Sequence, residues 1–356
     1  MNKLLIFGSE GQMGKAAQWA AIQLYGRENV FTCDITPKYN DSTHFVLSER
    51  FNLEWIINNV KPNLVLSCLP YHKNLELATE CISRKVFYAD LGGSVPISAQ
   101  INYIAKTMKS PVFTDLGLAP GLVNILTQEL VRQYHPEEVL MCCGGLPLYP
   151  KNPPYNYYSN WSVDGLINEY QDDCLILSNG LSMTIKGMFK TIDITHTFRG
   201  DLEAFPTSGG MSHSLSFFEK QGVKDAEYMT MRYKGHAQAI KKHLHSSKKQ
   251  PLAEALKVKE RYRDIVLIHI ELHGFNEQTM CGETVIREAT IHWSSRFSAM
   301  QRATAFSAIA GLKTLVEPSP YTVMDHWARP YTYEDIHYEH FMNTFNNLLE
   351  KDLKNE

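Results

Sequence analysis

Short apolar runs and helical patterns alternate through residues 4–117, and that rhythm limits the fold more than any other feature of the chain. The runs are LLIFG (4–8), VFTCD (30–34), HFVL (44–47), LVLSCL (64–69), VFYADL (86–91) and VFTDLG (112–117). Helical patterns fill 12–25, 50–60, 73–84 and 97–108. Continuous apolar runs suit strands buried on both faces, and parallel strands need long crossovers to join them. The expected fold class is α/β, an N-terminal doubly wound parallel sheet of Rossmann type with six strands.

The first strand leads directly into Gly8, Gly11 and Gly14, spaced G-x-x-G-x-x-G, and a helix follows at once. In such a turn the first glycine permits a tight bend, the second lets backbone approach a pyrophosphate, and the third lets helix and strand pack closely. Free N–H groups and the positive end of the helix then face the phosphates. Asp34 ends the second strand, where an acid accepts hydrogen bonds from the adenosine ribose hydroxyls and repels a 2′-phosphate. The flanking CDITPK holds no arginine, although Lys38 is close by. The pattern predicts a dinucleotide site that favours NAD over NADP. Its candidate residues are Gly8, Glu10, Gly11, Gln12, Met13, Gly14 and Asp34, with Cys68, Leu69, Pro70, Leu91 and Gly92 at neighbouring strand ends.

Beyond about residue 122 the texture changes. GLVNILTQELVRQY reads as a helix, EVLMCCGGLP as a strand, and LYPKNPPYNYYSN as a loop. CLILS, LSMTIKG, IDITHTF, IVLIHIELHG and TVIREATIHW alternate polar and apolar residues like half-covered strands. Helices are expected near 211–222, 233–244, 252–259, 298–316 and 332–353. The expected organisation is a dinucleotide-binding domain over 1–121 and an α+β domain with a mixed sheet over 122–297. Helices would fill 298–356.

Composition removes several classes of function. A net charge of −3 gives no footprint for nucleic acid. No 18-residue apolar run predicts a membrane span, and no signal-peptide pattern opens the chain. The seven cysteines form no C-x-x-C pair and mostly sit in apolar stretches, which reads as reduced core cysteine in a cytoplasmic protein. The fourteen histidines form no metal-ligand cluster, so no metal is expected.

VLSCLPYHKNLELATECISRKVFYADLGG, followed by TDLGLAPGLVNILTQEL, resembles the saccharopine dehydrogenase superfamily. CCGGLP, NWSVDGLINEY and GDLEAFPTSGG are similar to its lysine 6-dehydrogenase-like branch. The resemblance implies an NAD-linked oxidoreductase acting on a C–N bond of an amino acid, with the helices of 298–356 packing back on the first domain, and a homodimer or larger homo-oligomer. A reductase forming a secondary amine, of saccharopine or carboxynorspermidine type, is the alternative within the class. A non-catalytic NAD-binding protein is the alternative outside it. At LGLAPG the saccharopine reductase branch usually has Asp where this chain has Ala119.

Amine oxidation needs proton removal and alignment. Asp90 and Asp115, at adjoining strand ends, are candidates for the base or the ammonium anchor; turn capping is the competing reading. His196 and His213 are candidate bases by their ordinary pKa. Arg199 is a candidate grip for a carboxylate and Glu203 for a distal ammonium. Thr207 and Ser208 offer hydroxyls, or cap the next helix. Trp161, Glu169 and Tyr170 would supply an aromatic wall and an acid for the far amine of a substrate such as lysine.

Overall fold

The computed structural model describes residues 2–38, 41–48, 52–159, 163–244, 251–257, 263–276, 281–316 and 328–354. The chain begins β1 (Leu4–Phe7), α1 (Gln12–Tyr25), β2 (Val30–Asp34), β3 (His44–Val46), α2 (Leu53–Val60) and β4 (Leu64–Ser67). It continues α3 (Asn74–Ser83), β5 (Phe87–Asp90), α4 (Val95–Met108), β6 (Val112–Phe113) and α5 (Leu122–Tyr134). Next come β7 (Glu138–Pro147), α6 (Val163–Gln171), β8 (Asp173–Ser178), β9 (Leu181–Lys186), β10 (Ile192–His196) and β11 (Gly200–Pro206). α7 (Ser214–Lys220), β12 (Asp225–Arg232), α8 (His236–Leu244), α9 (Leu252–Ala255), β13 (Asp264–Asn276) and β14 (Cys281–His292) follow. The chain ends with α10 (Ala299–Gln301), a π-helical turn (Arg302–Phe306), α11 (Ser307–Val316) and α12 (Tyr338–Lys354).

Two compact units emerge: residues 1–122 with 301–356, and residues 123–300. The first contains a six-stranded sheet in the order β3-β2-β1-β4-β5-β6, parallel throughout. That order is the doubly wound one, with its reversal point between β1 and β4. α1 buries only small residues against the sheet (Gly14, Ala16, Ala17, Ala20 and Ala21), which lets the helix lie close. β6 is shorter than the 112–117 expected, because Asp115 takes φ +66 and turns the chain out of extended geometry.

The C-terminal segments belong to this unit. Trp19 of α1 stacks on Phe306 at 5.2 Å. Arg302 Nε meets Asp352 Oδ2 at 2.9 Å in a nearly fully buried ion pair that ties the π-helical turn to α12. The Tyr331 N–H donates to Val112 O at 2.8 Å, and Pro330 bridges Val112 in parallel, so the chain end extends the sheet past β6. α12 starts at Tyr338 rather than 332, since Thr332 and Asp335 close a capping box on a single 3₁₀ turn first.

The second unit is built on a mixed eight-stranded sheet: β10-β11-β12-β7-β13-β14, with β8 pairing β12 and β9 pairing β8. β12 and β7 are parallel and the other pairs antiparallel. β11 and β12 add two strands to those expected. α7, α8 and α9 are shorter than expected: Ser212 and Gly235 adopt positive φ just before the first two. α9 ends at Ala255, and residues 258–262 lie outside the described set. β10 and β13 are four strand spacings apart, about 19 Å in a flat sheet. Yet His196 Nε2 of β10 lies 3.2 Å from Ile268 O of β13, and the Thr197 N–H donates to Glu288 Oε2 of β14 at 2.9 Å. The sheet is therefore rolled. Its inner face closes over Cys142, Leu202, Met229, Met231, Ile265 and Leu267, a core cluster drawn almost wholly from strands.

Candidate functional site

The first unit offers a site where β1 hands over to α1. Gly8 adopts φ +75, its N–H donates to Cys33 O at 2.9 Å, and a Cβ there would lie 2.7 Å from Cys68 O. A Cβ at Gly14 would overlap the Gly8 carbonyl oxygen. α1 starts at Gly11 with no side-chain cap, so its first N–H groups stay open to a ligand. The Ser9 hydroxyl is buried with no hydrogen-bond partner among the described residues. The turn thus combines a glycine cradle, open helix N–H groups and an unpartnered buried hydroxyl, and these fit the diphosphate of a dinucleotide.

A cavity of about 910 Å³ opens beside this turn, near the upper end of the range for small-molecule sites. Gly8, Glu10, Gly11, Asp34, Cys68, Leu69 and Pro70 all line it. Asp34 accepts from Glu10 N–H at 2.9 Å and Thr36 N–H at 3.0 Å, which fixes its carboxylate at the rim. Burial pushes the Cys33 and Cys68 thiols up to about 12, so both stay neutral. Gln12, Met13, Gly14, Leu91 and Gly92 stand outside this wall. Gln12 opens α1, and its carbonyl accepts from Gln301 Nε2 at 2.7 Å. Gly92, at φ +86, donates its N–H to Asp90.

Asp90 and Asp115 do meet, but inside the unit. Asp90 Oδ1 accepts from the N–H groups of Gly92 and Asp115, each at 2.9 Å, while Oδ2 accepts from Tyr88 OH at 3.0 Å. Asp115 Oδ1 accepts from Ser98 Oγ at 2.7 Å, and its carbonyl from Tyr333 OH at 2.6 Å. Burial, with the Asp115 charge second, raises the Asp90 carboxyl to about 7. With its oxygens engaged and 1 % of its surface exposed, Asp90 is a clamp on the strand-end turns rather than a reachable base.

In the second unit, α6 carries Glu169 and Tyr170 beside Arg232 of β12. The Arg232 guanidinium lies 4.3 Å from the Tyr157 ring centroid, and its Nε donates to Tyr170 OH at 3.1 Å. Tyr170 OH meets His236 Nε2 at 3.0 Å, and His236 Nδ1 meets Tyr155 O at 2.7 Å. Burial, then Arg232, drives His236 down to about 3. The ring is neutral, so Nδ1–H donates to Tyr155 and Nε2 accepts from Tyr170. Burial lifts the Glu169 carboxyl to about 8, against the pull of Arg232. Among the described residues, the Glu169 carboxylate and Arg232 Nη2 make no hydrogen bond. Arg232 went unnoticed in the sequence because an arginine in MRYKG signals surface as readily as burial. A long polar side chain ending an alternating apolar strand was the available clue.

Other candidates have different tasks. Glu203 accepts from the N–H groups of Gly235 and Ala237 at 2.9 and 2.6 Å, so it caps α8 and is not open to an ammonium. His196 is 1 % exposed and closes the rolled sheet; burial lowers its pKa, and it is no base for a ligand. Arg199 donates to Tyr233 OH at 2.9 Å and stacks on Tyr149 and Tyr233. Thr207 pairs with Thr230 through their hydroxyls at 2.8 Å, and the Ser208 N–H donates to Glu169 O at 2.9 Å, so this pair braces α6. His213 occupies the N-cap of α7 without capping it by its side chain. Trp161 lies outside the described residues.

The sequence profile of the saccharopine dehydrogenase C-terminal domain matches residues 117–348. Rat mitochondrial alpha-aminoadipic semialdehyde synthase (Rattus norvegicus) is 27 % identical over 191 residues, which is 50 % of this chain and 20 % of the relative. The Bos taurus protein of the same name is 28 % identical over the same extent. The chain therefore spans about a fifth of the length of the curated relatives it matches. Apo saccharopine dehydrogenase (L-Glu forming) from Saccharomyces cerevisiae shares the fold at TM-score 0.69 and 14 % identity, covering 100 % of this chain and 97 % of that one. Homospermidine synthase from Legionella pneumophila, in complex with NAD, does so at 0.66 and 12 %, covering 98 % and 90 %.

Proposed function

Because the chain belongs to the saccharopine dehydrogenase family, we propose that it is an NAD-linked oxidoreductase acting on the carbon–nitrogen bond of an amino acid. The reaction we assign is oxidative deamination of the lysine 6-dehydrogenase type. The observation that carries the reading is the cavity walled by Gly8, Gly11 and Asp34 at the reversal point of the parallel sheet. Gly8, Ser9 and Gly11 would hold the diphosphate, and Asp34 the adenosine ribose. Bound there, the nicotinamide would take up or return a hydride.

The second unit supplies the groups suited to an amino acid. Arg232 is buried against the Tyr157 ring, and its Nε and Nη1 donate to Tyr170 OH and Met231 O, which leaves Nη2 as the donor for a carboxylate. Glu169, with its carboxyl raised to about 8, becomes ionised as pH rises through that value and can then receive the proton of a substrate ammonium, which fits an alkaline assay. Tyr170 and the neutral His236 hold Arg232 without adding charge that would compete for the substrate. A secondary-amine substrate of saccharopine type is the second reading, favoured by the names of proteins that this chain is similar to.

The test is NADH appearance at alkaline pH with NAD and a panel of lysine, ornithine, saccharopine and carboxynorspermidine. Turnover on lysine alone supports deamination, and turnover on the secondary amines alone moves the assignment to the second reading. Absence of turnover across the panel, with NAD still bound, overturns both.

A further inference from the structure

Lys38 is the cation nearest in sequence to Asp34, and in an NAD-selective site it has to be explained. Its Nζ lies 2.6 Å from Glu10 Oε1 and donates to Gln18 Oε1 at 3.0 Å. Glu10 contributes twice: its backbone N–H donates to Asp34 Oδ2 at 2.9 Å, and its carboxylate takes the ammonium. Both partners of the ion pair are mostly buried, with side chains 15 % and 27 % exposed. Glu10 and Asp34 line the cavity, whereas Lys38 does not. Lys73, which does line the cavity, belongs to the turn after β4, on the far side of β1 from β2, and Lys15, 58 % exposed on α1, lies 3.9 Å from the other Glu10 oxygen.

Resting on the reading of this cavity as a dinucleotide site, we infer that Glu10 is a specificity-determining residue that excludes a 2′-phosphate by two routes. It adds a second carboxylate beside Asp34 at the rim where the ribose hydroxyls would bind. It also sequesters the one cation of the β2–β3 connection that would otherwise neutralise a phosphate there. The two effects act in the same direction, because a dianion brought to this rim meets two carboxylates while the local ammonium is already paired. A ribose carrying free hydroxyls meets acceptors only, and the hydroxyls are donors. The ligand class is thus a dinucleotide with an unmodified adenosine ribose. The selection is held by an ion pair in addition to the acid at the end of β2.

The inference is tested by measuring NADH and NADPH binding, through ligand fluorescence and calorimetry, on the full chain and on Glu10→Gln, Lys38→Met and the double variant. Thermal unfolding of each variant shows that the fold is kept. The expected result is a wild type that prefers NADH. In Glu10→Gln the preference should shift towards NADPH by about tenfold, the size of one charge-assisted contact. The double variant should lose most of that shift, since the released ammonium is gone. A Glu10→Gln ratio equal to wild type, or a shift of the same size in the double variant, overturns the role of the ion pair. A wild type that prefers NADPH overturns the inference outright. A wild type that binds neither nucleotide overturns the dinucleotide reading beneath it.

Discussion

Asp90 shows how a single buried carboxyl couples the turns at the strand ends to pH. In the unfolded chain it loses its proton near pH 4, and in the folded chain near pH 7. Between those values the folded state binds more protons, so stability falls as pH rises through that window and stays reduced above it. Asp90→Asn keeps an acceptor for the Gly92 and Asp115 N–H groups and never ionises. Its melting temperature should exceed that of wild type at pH 8, and the gap should close towards pH 4; a gap independent of pH would contradict the assignment. At this scale the turn made by the glycines was legible beside Asp34, because their spacing is local and the turn is dictated by backbone sterics. It also brought Glu169 and Tyr170 forward. It could not show the partners of Glu203, Arg199 and His196, which come from Gly235, Tyr233 and Ile268, because no local pattern announces such pairings.

Among the elements, the seam of the rolled sheet carries a clear mechanical role. Glu288 of β14 accepts from Thr197 N–H, and its Oε1 lies 2.9 Å from His269 Nδ1. Those contacts hold its carboxyl below the ordinary glutamate range, against burial. Glu288→Ala strands the buried His269 and the Thr197 amide, and should lower unfolding free energy in urea by roughly 1–3 kcal/mol. Because the folded pKa is depressed, the loss should shrink as pH drops through the carboxyl range; an unchanged urea midpoint at pH 7 would remove the seam from the account. The helices and parallel strands of the first 113 residues were legible because each run is apolar throughout and bounded by turn residues. β12 was not. Asp225, Glu227 and Arg232 break its run, and it earns a central place only through pairing with β7 and β11 on either side.

For the whole molecule, the two units can be interrogated separately. Saturating NAD should slow amide hydrogen exchange in residues 5–14, 30–36 and 64–70, the strand ends and turns around the 910 Å³ cavity. Protection confined to residues 123–300 would place the nucleotide elsewhere. The mixed sheet and the parallel sheet were each anticipated as a class from strand texture. The roll of the mixed sheet was not, since closure depends on residues more than seventy positions apart, as His196 and Ile268 are.

The Pro330–Tyr331 stretch that extends the sheet past β6, together with α11 and α12, has a consequence for biosynthesis. On the ribosome, residues 1–122 emerge while the segments that finish their unit, residues 301–356, are still about 180 to 230 residues from being made. At ordinary elongation rates that is a wait of roughly ten to fifty seconds. Throughout it the nascent β6 edge and the Trp19 side of α1 lack the cover that Tyr331 and Phe306 bring, so chaperones should engage residues 1–122 rather than the residues just emerging.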